Sequence, residues 1–273
     1  MILFGRIVAT FLAVALACHT AVAQPLRIYA AGSLTNAFVD IIKAFPSGSN
    51  SPASFAIFPV FGPSGLLRER IEHGEPADIL ASADMEQPRA LARDHPGRFV
   101  IMFTRNRMCA LGVARLGLTS DNLLDRMLDP AVRLATSTPH ADPSGDYAWA
   151  VFARAEALRP GAAKALEAKA LQLVGGPNTP PLVAGHGAVQ GVFLANRADM
   201  MLTYCSGSDP VTREVPDLVS VPLPANLTVG PGYGLIVLTD QPLAARFALF
   251  VLSEKGQAIL SRHGFSPIGL PGP

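Results

Sequence analysis

The stretch that decides the fold is YAAGSLTNAF, residues 29–38. The apolar run that enters it predicts a short buried strand, and apolar residues from Phe38 to Phe45 recur at helical spacing. The Ala-Gly-Ser sequence at 31–33 therefore predicts a sharp strand-to-helix turn with Ser33 as the N-cap residue. Such a turn leaves backbone N–H groups and a hydroxyl at the positive end of the helix dipole, which suits an anion without any charged side chain.

The same strand, serine and helix arrangement recurs along the chain. Ser64 lies in GPSG between an apolar strand and an amphipathic helix, and Ser144 precedes the helix predicted over 148–158. A fourth helix start, the glycine-flanked segment 185–191, offers backbone donors only. An ordinary capping serine explains any one of these turns. Their recurrence favours a shared anion-binding site.

Strands and helices alternate along the chain, which predicts an α/β fold with mainly parallel sheets. The 273 residues suggest two domains, and we place a crossing into the second domain at 104–107. In open α/β sheets, ligands bind beyond the carboxyl ends of the strands, where the serine turns are predicted to lie.

Composition limits the function classes. The chain is 49 % hydrophobic and 16 % charged with a formal net charge of +1, and it carries no basic stripe, so nucleic acid is not an expected partner. An apolar run at 7–17 and the A-x-A site at 21–23 predict a cleaved signal peptide over 1–23 and export to the periplasm. Lipid anchoring at Cys18 is the competing interpretation, and cleavage after Ala23 is preferred.

Cys109 and Cys205 remain after that cleavage. An exported protein can oxidise them to a disulfide. They lie far apart in sequence, however, and two small buried hydrophobic residues are an equally good interpretation. The sequence leaves this choice open.

Three segments carry a resemblance to a known family. AAGSLTNAF at 30–38 and GPSGLLRERIEHGEPADILASAD at 62–84 resemble motifs of the periplasmic molybdate-binding proteins of ABC transporters, which are type II solute-binding proteins. FALFVLSEKGQAIL at 247–260 resembles their closing helix. The likeness covers essentially the whole mature chain and is strongest over 28–84.

The resemblance implies two α/β lobes joined by two crossings, at 24–105 plus 228–273 and at 106–227, with the ligand between them. It implies that the ligand is molybdate or tungstate, that no cofactor is needed, and that a monomer delivers the ligand to an inner-membrane permease. The ligand contacts it implies are the hydroxyls of two serines and a tyrosine and two backbone N–H groups. By position these are Ser33, Ser64, Tyr204, Ser144 and Val189.

Some residues depart from the family pattern and keep an alternative open. Asp142 and Asp146 flank Ser144, which is unexpected near a dianion. The alternative is a protein for another oxyanion, or for a metal cation or chelate held by borderline and soft ligands. Those ligands would be His140, His186 and Cys205, together with Tyr204.

An enzymatic function is not expected. Ser64 in GPSG resembles a nucleophile elbow, but Leu66 stands where the G-x-S-x-G motif requires its second glycine. No spacing of His186 and an aspartate supports a catalytic triad.

Overall fold

The computed structural model describes residues 24–46, 56–179 and 183–268. The predicted signal peptide at 1–23, including Cys18, lies outside the described residues and stays a prediction. Within the described part of the chain, no helix is both long enough and apolar enough to cross a bilayer.

In the part of the chain that the structure describes, ten strands form two five-stranded sheets. The first sheet has the order β2-β1-β3-β10-β4, and the second has the order β7-β6-β8-β5-β9. The strands of the first sheet are β1 Leu26–Ala31, β2 Ile57–Gly62, β3 Ile79–Ser82, β4 Val100–Arg105 and β10 Gly232–Val237. Those of the second are β5 Met108–Val113, β6 Leu134–Ser137, β7 Leu171–Val174, β8 Met200–Tyr204 and β9 Leu218–Pro222.

The two sheets share one pattern of directions. In the first sheet, β10 is antiparallel to both of its neighbours, β3 and β4, while β1 pairs in parallel with β2 and β3. In the second, β5 is antiparallel to β8 and β9, while β6 pairs in parallel with β7 and β8. In each sheet all strands but one therefore point the same way, which confirms the predicted α/β fold with mainly parallel sheets.

Helices flank both sheets. Those packed with the first sheet are α1 Thr35–Ala44, α2 Ser64–Glu72, α3 Glu86–Asp94, α9 Pro242–Leu252 and α10 Glu254–Arg262. Those of the second are α4 Leu123–Leu128, α5 Pro143–Leu158, α6 Ala162–Lys169, α7 Ala188–Leu194 and α8 Ser208–Glu214. The first sheet with its helices is called the first lobe below, and the second sheet with its helices the second lobe.

The first lobe is held by an aromatic core between its sheet and its outer helices. The rings of Phe38 on α1, Phe103 on β4 and Phe247 on α9 are fully buried. Phe38 meets the other two edge to face, with ring centroids 6.1 and 6.0 Å apart. Buried aromatic pairs of this geometry contribute about 0.5–1.5 kcal/mol beyond their area. The apolar residues whose spacing predicted α1 thus include those that the helix buries against the sheet.

The chain crosses between the lobes twice, after β4 and before β10. The two crossings touch each other, because the backbone N–H of Asn106 donates to the carbonyl of Pro231 at 2.9 Å. A disulfide joins Cys109 on β5 to Cys205, which follows β8, with their Cα atoms 5.0 Å apart. The structure therefore settles the cysteine question in favour of the bond.

Several elements of the second lobe differ from the sequence predictions. Apolar residues at helical spacing predict a helix over 118–129, but the helix begins only at Leu123. Thr119 and Asn122 explain the delay, because each side chain accepts from the other's backbone N–H, at 2.9 and 3.2 Å, and so forms a turn that competes with the helix. The sequence predicts a helix over 192–197, but α7 begins at 188. The strand β7 and the helix α8 were not predicted.

Candidate ligand-binding cleft

The carboxyl ends of the parallel strands of the two lobes face each other. The N–H of Gly65, just after β2, donates to the carbonyl of Ala141, which follows β6, at 3.0 Å. Tyr204 ends β8, and its ring packs on that of Tyr233 in β10 with centroids 5.7 Å apart. Because β10 runs against its neighbours, its first residues lie at the same edge as the ends of β1 and β3. The turns that carry Ser33, Ser64 and Ser144 and the end of β8 therefore border one cleft between the lobes.

Ser33 lies in a single turn of 3-10 helix, Gly32–Leu34, that precedes α1. The N-cap prediction for it was wrong, because Leu34 occupies the cap of α1 and no side chain bonds there. Its hydroxyl instead lies 2.9 Å from that of Tyr233. The sequence pattern located the turn, but a 3-10 turn inserted before the helix moves the serine away from the capping position.

Ser64 is the first residue of α2 and is 1 % exposed. Its oxygen accepts the backbone N–H of Ala83 at 3.1 Å, so its own proton is free to be donated elsewhere. This bond ties the start of α2 to the end of β3. The partner of Ser64 is a backbone N–H rather than a histidine, which gives the hydroxyl no activating base.

Ser144 enters the cleft differently from the role implied by the resemblance. Its backbone N–H, the expected ligand donor, donates to the carboxylate of Asp142, the N-cap residue of α5, at 3.0 Å. Its hydroxyl, by contrast, is buried and has no hydrogen-bond partner. An internal carboxylate thus occupies the positive end of α5, and the side chain of Ser144 is the donor that remains.

Tyr204 is 5 % exposed, and its hydroxyl also has no hydrogen-bond partner. Its ring packs edge to face on Tyr147, one helical turn beyond Ser144, with centroids 6.4 Å apart. Burial raises the pKa of Tyr204 well above its usual value, so its hydroxyl stays a donor at neutral pH. A buried hydroxyl without a partner loses its hydration without compensation, which costs about 1–3 kcal/mol. Ser144 and Tyr204 both carry such a hydroxyl, which makes them candidates for contact with a ligand.

Val189 is the second residue of α7 and is partly buried. Its side chain packs against the core of the second lobe, which includes Leu111 and Val192. Helices leave the N–H groups of their first turn unpaired, so its backbone is still able to donate. Among the described residues, Val189 makes no hydrogen bond or ring contact with the other four predicted residues.

The residues of the cation alternative are not brought together. Cys205 is bonded to Cys109 and has no thiolate to offer. His186 pairs with Glu214 of α8, while His140 lies 3.8 Å from Asp146 on an exposed turn with a positive φ of 67°. Within the described residues, no group of three or more His, Cys, Asp or Glu side chains could hold a metal ion. The structure therefore contradicts this ligand set.

The mouth of the cleft is acidic. A cavity of about 390 Å³ opens there, lined by Arg68, Asp84, Glu86, Gln87, His140, Asp146 and Tyr147. Burial is the main cause that raises the pKa of Asp84, and it raises the pKa of Asp142 to about 6. The charge of Asp146 adds to both shifts. The carboxylates of the two lobes thus repel each other across the closed cleft.

Sequence reasoning missed Asn106 and Tyr233, whose hydrogen bonds link Ser33 of the first lobe to Ser206 of the second. The amide nitrogen of Asn106 donates to the hydroxyls of Tyr233, at 3.0 Å, and Ser206, at 2.8 Å. Asn106 lies in the predicted crossing TRNR at 104–107. An amide side chain between two arginines was the one local feature that could have pointed to a role for it. Tyr233 opened a predicted strand and carried no signal of its own.

Fold and cleft together define a two-lobed α/β binding protein that encloses polar groups between its lobes. The model of the bacterial extracellular solute-binding proteins matches residues 26–266, so the chain belongs to that family. Members of this family bind solutes for transport and are not enzymes, which confirms the prediction that the chain is not one.

Relatives and solved structures agree with this assignment. An uncharacterized protein of Pasteurella multocida is 33 % identical over 243 residues, covering 89 % of this chain and 98 % of the relative. The periplasmic molybdate-binding protein of Azotobacter vinelandii superposes with a TM-score of 0.65 at 18 % identity, over 90 % of this chain and 100 % of its own. The sulfate-binding protein SubI of Mycobacterium tuberculosis superposes with a TM-score of 0.70 at 16 % identity, over 90 % of this chain and 88 % of its own. At these identities the structures share the fold.

Proposed function

We propose that this chain is the periplasmic solute-binding component of an ABC transporter and that it captures a tetrahedral oxyanion, molybdate or tungstate. The observation that carries the proposal is the pair of buried, unpartnered hydroxyls of Ser144 and Tyr204. Ser33 and Ser64 add hydroxyls from the first lobe. A fully ionised oxyanion offers acceptors alone, and each hydroxyl of this set has a proton to donate to it.

The proposed site needs no cationic side chain. Hydroxyl and backbone N–H donors at helix starts carry partial positive charge, which balances part of the charge of a dianion. Selectivity follows from two features of a fixed donor ring. A ring sized for molybdate is too wide for the shorter bonds of sulfate, and monoprotonated phosphate brings a donor to a site whose hydroxyls are oriented to donate.

The acidic groups restrict where the anion would lie. Asp142 faces the N–H of Ser144 and also bonds the side chain of Ser137, so its charge is partly neutralised within its own helix start. We place the oxyanion at the hydroxyls, inside the acidic mouth. Closure of the lobes excludes water there and strengthens each contact. The monomeric state and the permease partner are part of the proposal.

The test is calorimetric titration of the mature chain with molybdate, tungstate, sulfate, phosphate and divalent metal ions. Molybdate or tungstate should bind most tightly. Ser33→Ala and Ser64→Ala should each weaken binding by about 1–3 kcal/mol, the usual cost when a charged acceptor loses a donor. Ser120→Ala is the matched control, because that hydroxyl bonds the carbonyl of Pro222 on the exposed surface of the second lobe. Unchanged affinity in both cleft variants, or preferential binding of a cation, would contradict the proposal.

A further inference from the structure

The crossing between the lobes carries a buried amide that bonds both lobes at once. Asn106 is 2 % exposed. Its backbone N–H bonds the other crossing at Pro231, and its side chain reaches Tyr233 of the first lobe and Ser206 of the second. Because its hydrogen bonds reach both lobes, Asn106 is able to couple the position of the lobes to the hydrogen bonds of the cleft.

The orientation of the Asn106 amide is fixed by a backbone group. Its side-chain oxygen lies 2.8 Å from the backbone N–H of Arg107. Because a backbone N–H can only donate, that atom must be the amide oxygen. The amide nitrogen therefore faces the hydroxyls of Tyr233 and Ser206, and its two protons serve one each.

This orientation sets the direction of the next hydrogen bond. Tyr233 is fully buried, and its oxygen accepts from Asn106. Its own proton is then free for the remaining neighbour, the oxygen of Ser33 at 2.9 Å. Ser33 accepts that proton and is left with its own to donate. The half-buried serine would present that O–H to the cleft.

We propose that Asn106 and Tyr233 are positioning residues that order the protons from the crossing to Ser33, so that Ser33 offers a donor to the bound oxyanion. The proposal rests on the proposed function, because it assumes that Ser33 contacts the ligand. Through its second N–H, Asn106 also ties this order to Ser206 of the second lobe. A bound ligand that only accepts hydrogen bonds favours the order in which Asn106 donates to Tyr233 and Tyr233 donates to Ser33. The bond of Asn106 to Ser206 favours the same order when the lobes are together.

A mutant cycle with molybdate as the probe tests the relay. Ser33→Ala should weaken binding about 5- to 150-fold and Tyr233→Phe about three- to tenfold. If Tyr233 acts through Ser33, the double variant should bind no more weakly than Ser33→Ala alone. Additive losses would overturn the relay. The matched control is Tyr29→Phe, which removes another buried tyrosine hydroxyl of the first lobe, one bonded to Glu75, and should leave affinity unchanged.

Asn106→Asp keeps the acceptor for Arg107 and removes both donors. We expect about a tenfold or greater loss of molybdate affinity in the wild-type background and a much smaller loss in the Ser33→Ala background. Repulsion of the ligand by the new charge would act equally in both backgrounds. Equal losses would therefore assign the effect to charge and overturn the positioning role.

Neutron diffraction of the ligand-free protein tests the proton order without any ligand. The deuteron of Tyr233 should point at Ser33, and those of Asn106 at Tyr233 and Ser206. A Ser33 deuteron pointing at Tyr233 would overturn the inference. If Ser33→Ala leaves molybdate affinity unchanged, the proposed function fails for this residue. If Ser33→Ala weakens binding but its loss adds to that of Tyr233→Phe, only the relay is overturned.

Discussion

The helices α2 and α5 open toward the cleft from opposite lobes, and they begin in different ways. α2 starts at Ser64 without an acidic residue in its first turn, and its Gly65 N–H reaches across to Ala141. α5 starts after Asp142, whose carboxylate takes the N–H of Ser144. The same serine-at-a-helix pattern therefore directs a first-turn N–H to the opposite lobe in α2, but to a carboxylate of its own helix start in α5. The N-cap residue decides which donors a helix start can give to a ligand.

The largest expected effect concerns the disulfide, which the second lobe has and the first lacks among its described residues. Cys109 and Cys205 are 96 positions apart, so the bond restricts a long loop of the unfolded chain. Replacing both cysteines by alanine should lower the free energy of unfolding by about 2–5 kcal/mol. Hydrogen exchange should show lost protection in β5 and β8 before β1 and β3. Equal losses in both lobes would contradict a local role of the bond.

Gly65→Ala should weaken the contact between the lobes. A Cβ at this position would lie 2.4 Å from the carbonyl oxygen of His140 and 2.7 Å from that of Ala141. Such overpacking costs about 1–3 kcal/mol, even though alanine favours helix α2 itself. We expect ligand affinity to fall by a similar free energy, and small-angle scattering to show a larger radius of gyration with ligand present.

The control for that variant is Gly207→Ala, because a Cβ there would meet no atom within 4 Å and the backbone has a negative φ. It should leave both affinity and radius of gyration unchanged. If Gly65→Ala closes around the ligand like the wild type, the contact with Ala141 does not control closure.

Asp142→Asn should remove a pH dependence of the free energy of unfolding that arises at the start of α5, whereas α2 has no acidic residue in its first turn. Burial raises the pKa of Asp142 to about 6, so the folded protein holds a proton that the unfolded chain releases near pH 4. The stability that this proton provides is fully present below about pH 4 and is lost as the pH rises to about 6, by about 2 kcal/mol. Asparagine still accepts from Ser144 as an N-cap residue.

The difference between the two proteins is the quantity to measure. Denaturant unfolding at pH 4, 5, 6 and 7.5 should show the variant gaining on the wild type as the pH rises. The charge of Asp84 contributes to the raised pKa of Asp142, so this difference includes the coupling between the two carboxyls. Parallel curves between pH 4 and 6 would show that Asp142 does not hold a proton in the folded state.

Local features were predictable from the sequence, and features that depend on distant residues were not. The strand and helix around 29–38, and the turn that carries Ser64, follow from periodicity and turn chemistry within about ten residues. Asn106 follows β4 and Tyr233 lies on β10, so the two meet only through the sheet order, which places β10 next to β4. The disulfide needs the antiparallel pairing of β5 with β8, which the sequence does not show.

The second lobe departed most from prediction because its local signals compete. Asp142 has the chemistry of a helix cap as well as that of a charge unwelcome near a dianion, and the cap prevails because the Ser144 N–H lies two residues away. At 119–122 a side-chain turn likewise displaces a predicted helical turn. In both places a short polar side chain satisfies the backbone before the regular element can.

Tyr204→Phe should have opposite effects on stability and on binding, because the second-lobe hydroxyl destabilises the ligand-free protein and donates to the ligand. Removing a buried hydroxyl that has no partner should raise the free energy of unfolding of the ligand-free protein by up to about 1 kcal/mol and weaken oxyanion binding by about 1–2 kcal/mol. Tyr29→Phe should do the opposite, since its hydroxyl bonds Glu75 at 2.7 Å: lower stability, unchanged binding. Thermal unfolding with and without molybdate measures both quantities at once. If Tyr204→Phe destabilises the ligand-free protein, its hydroxyl already has a partner, and the second lobe does not hold a donor in reserve for the ligand.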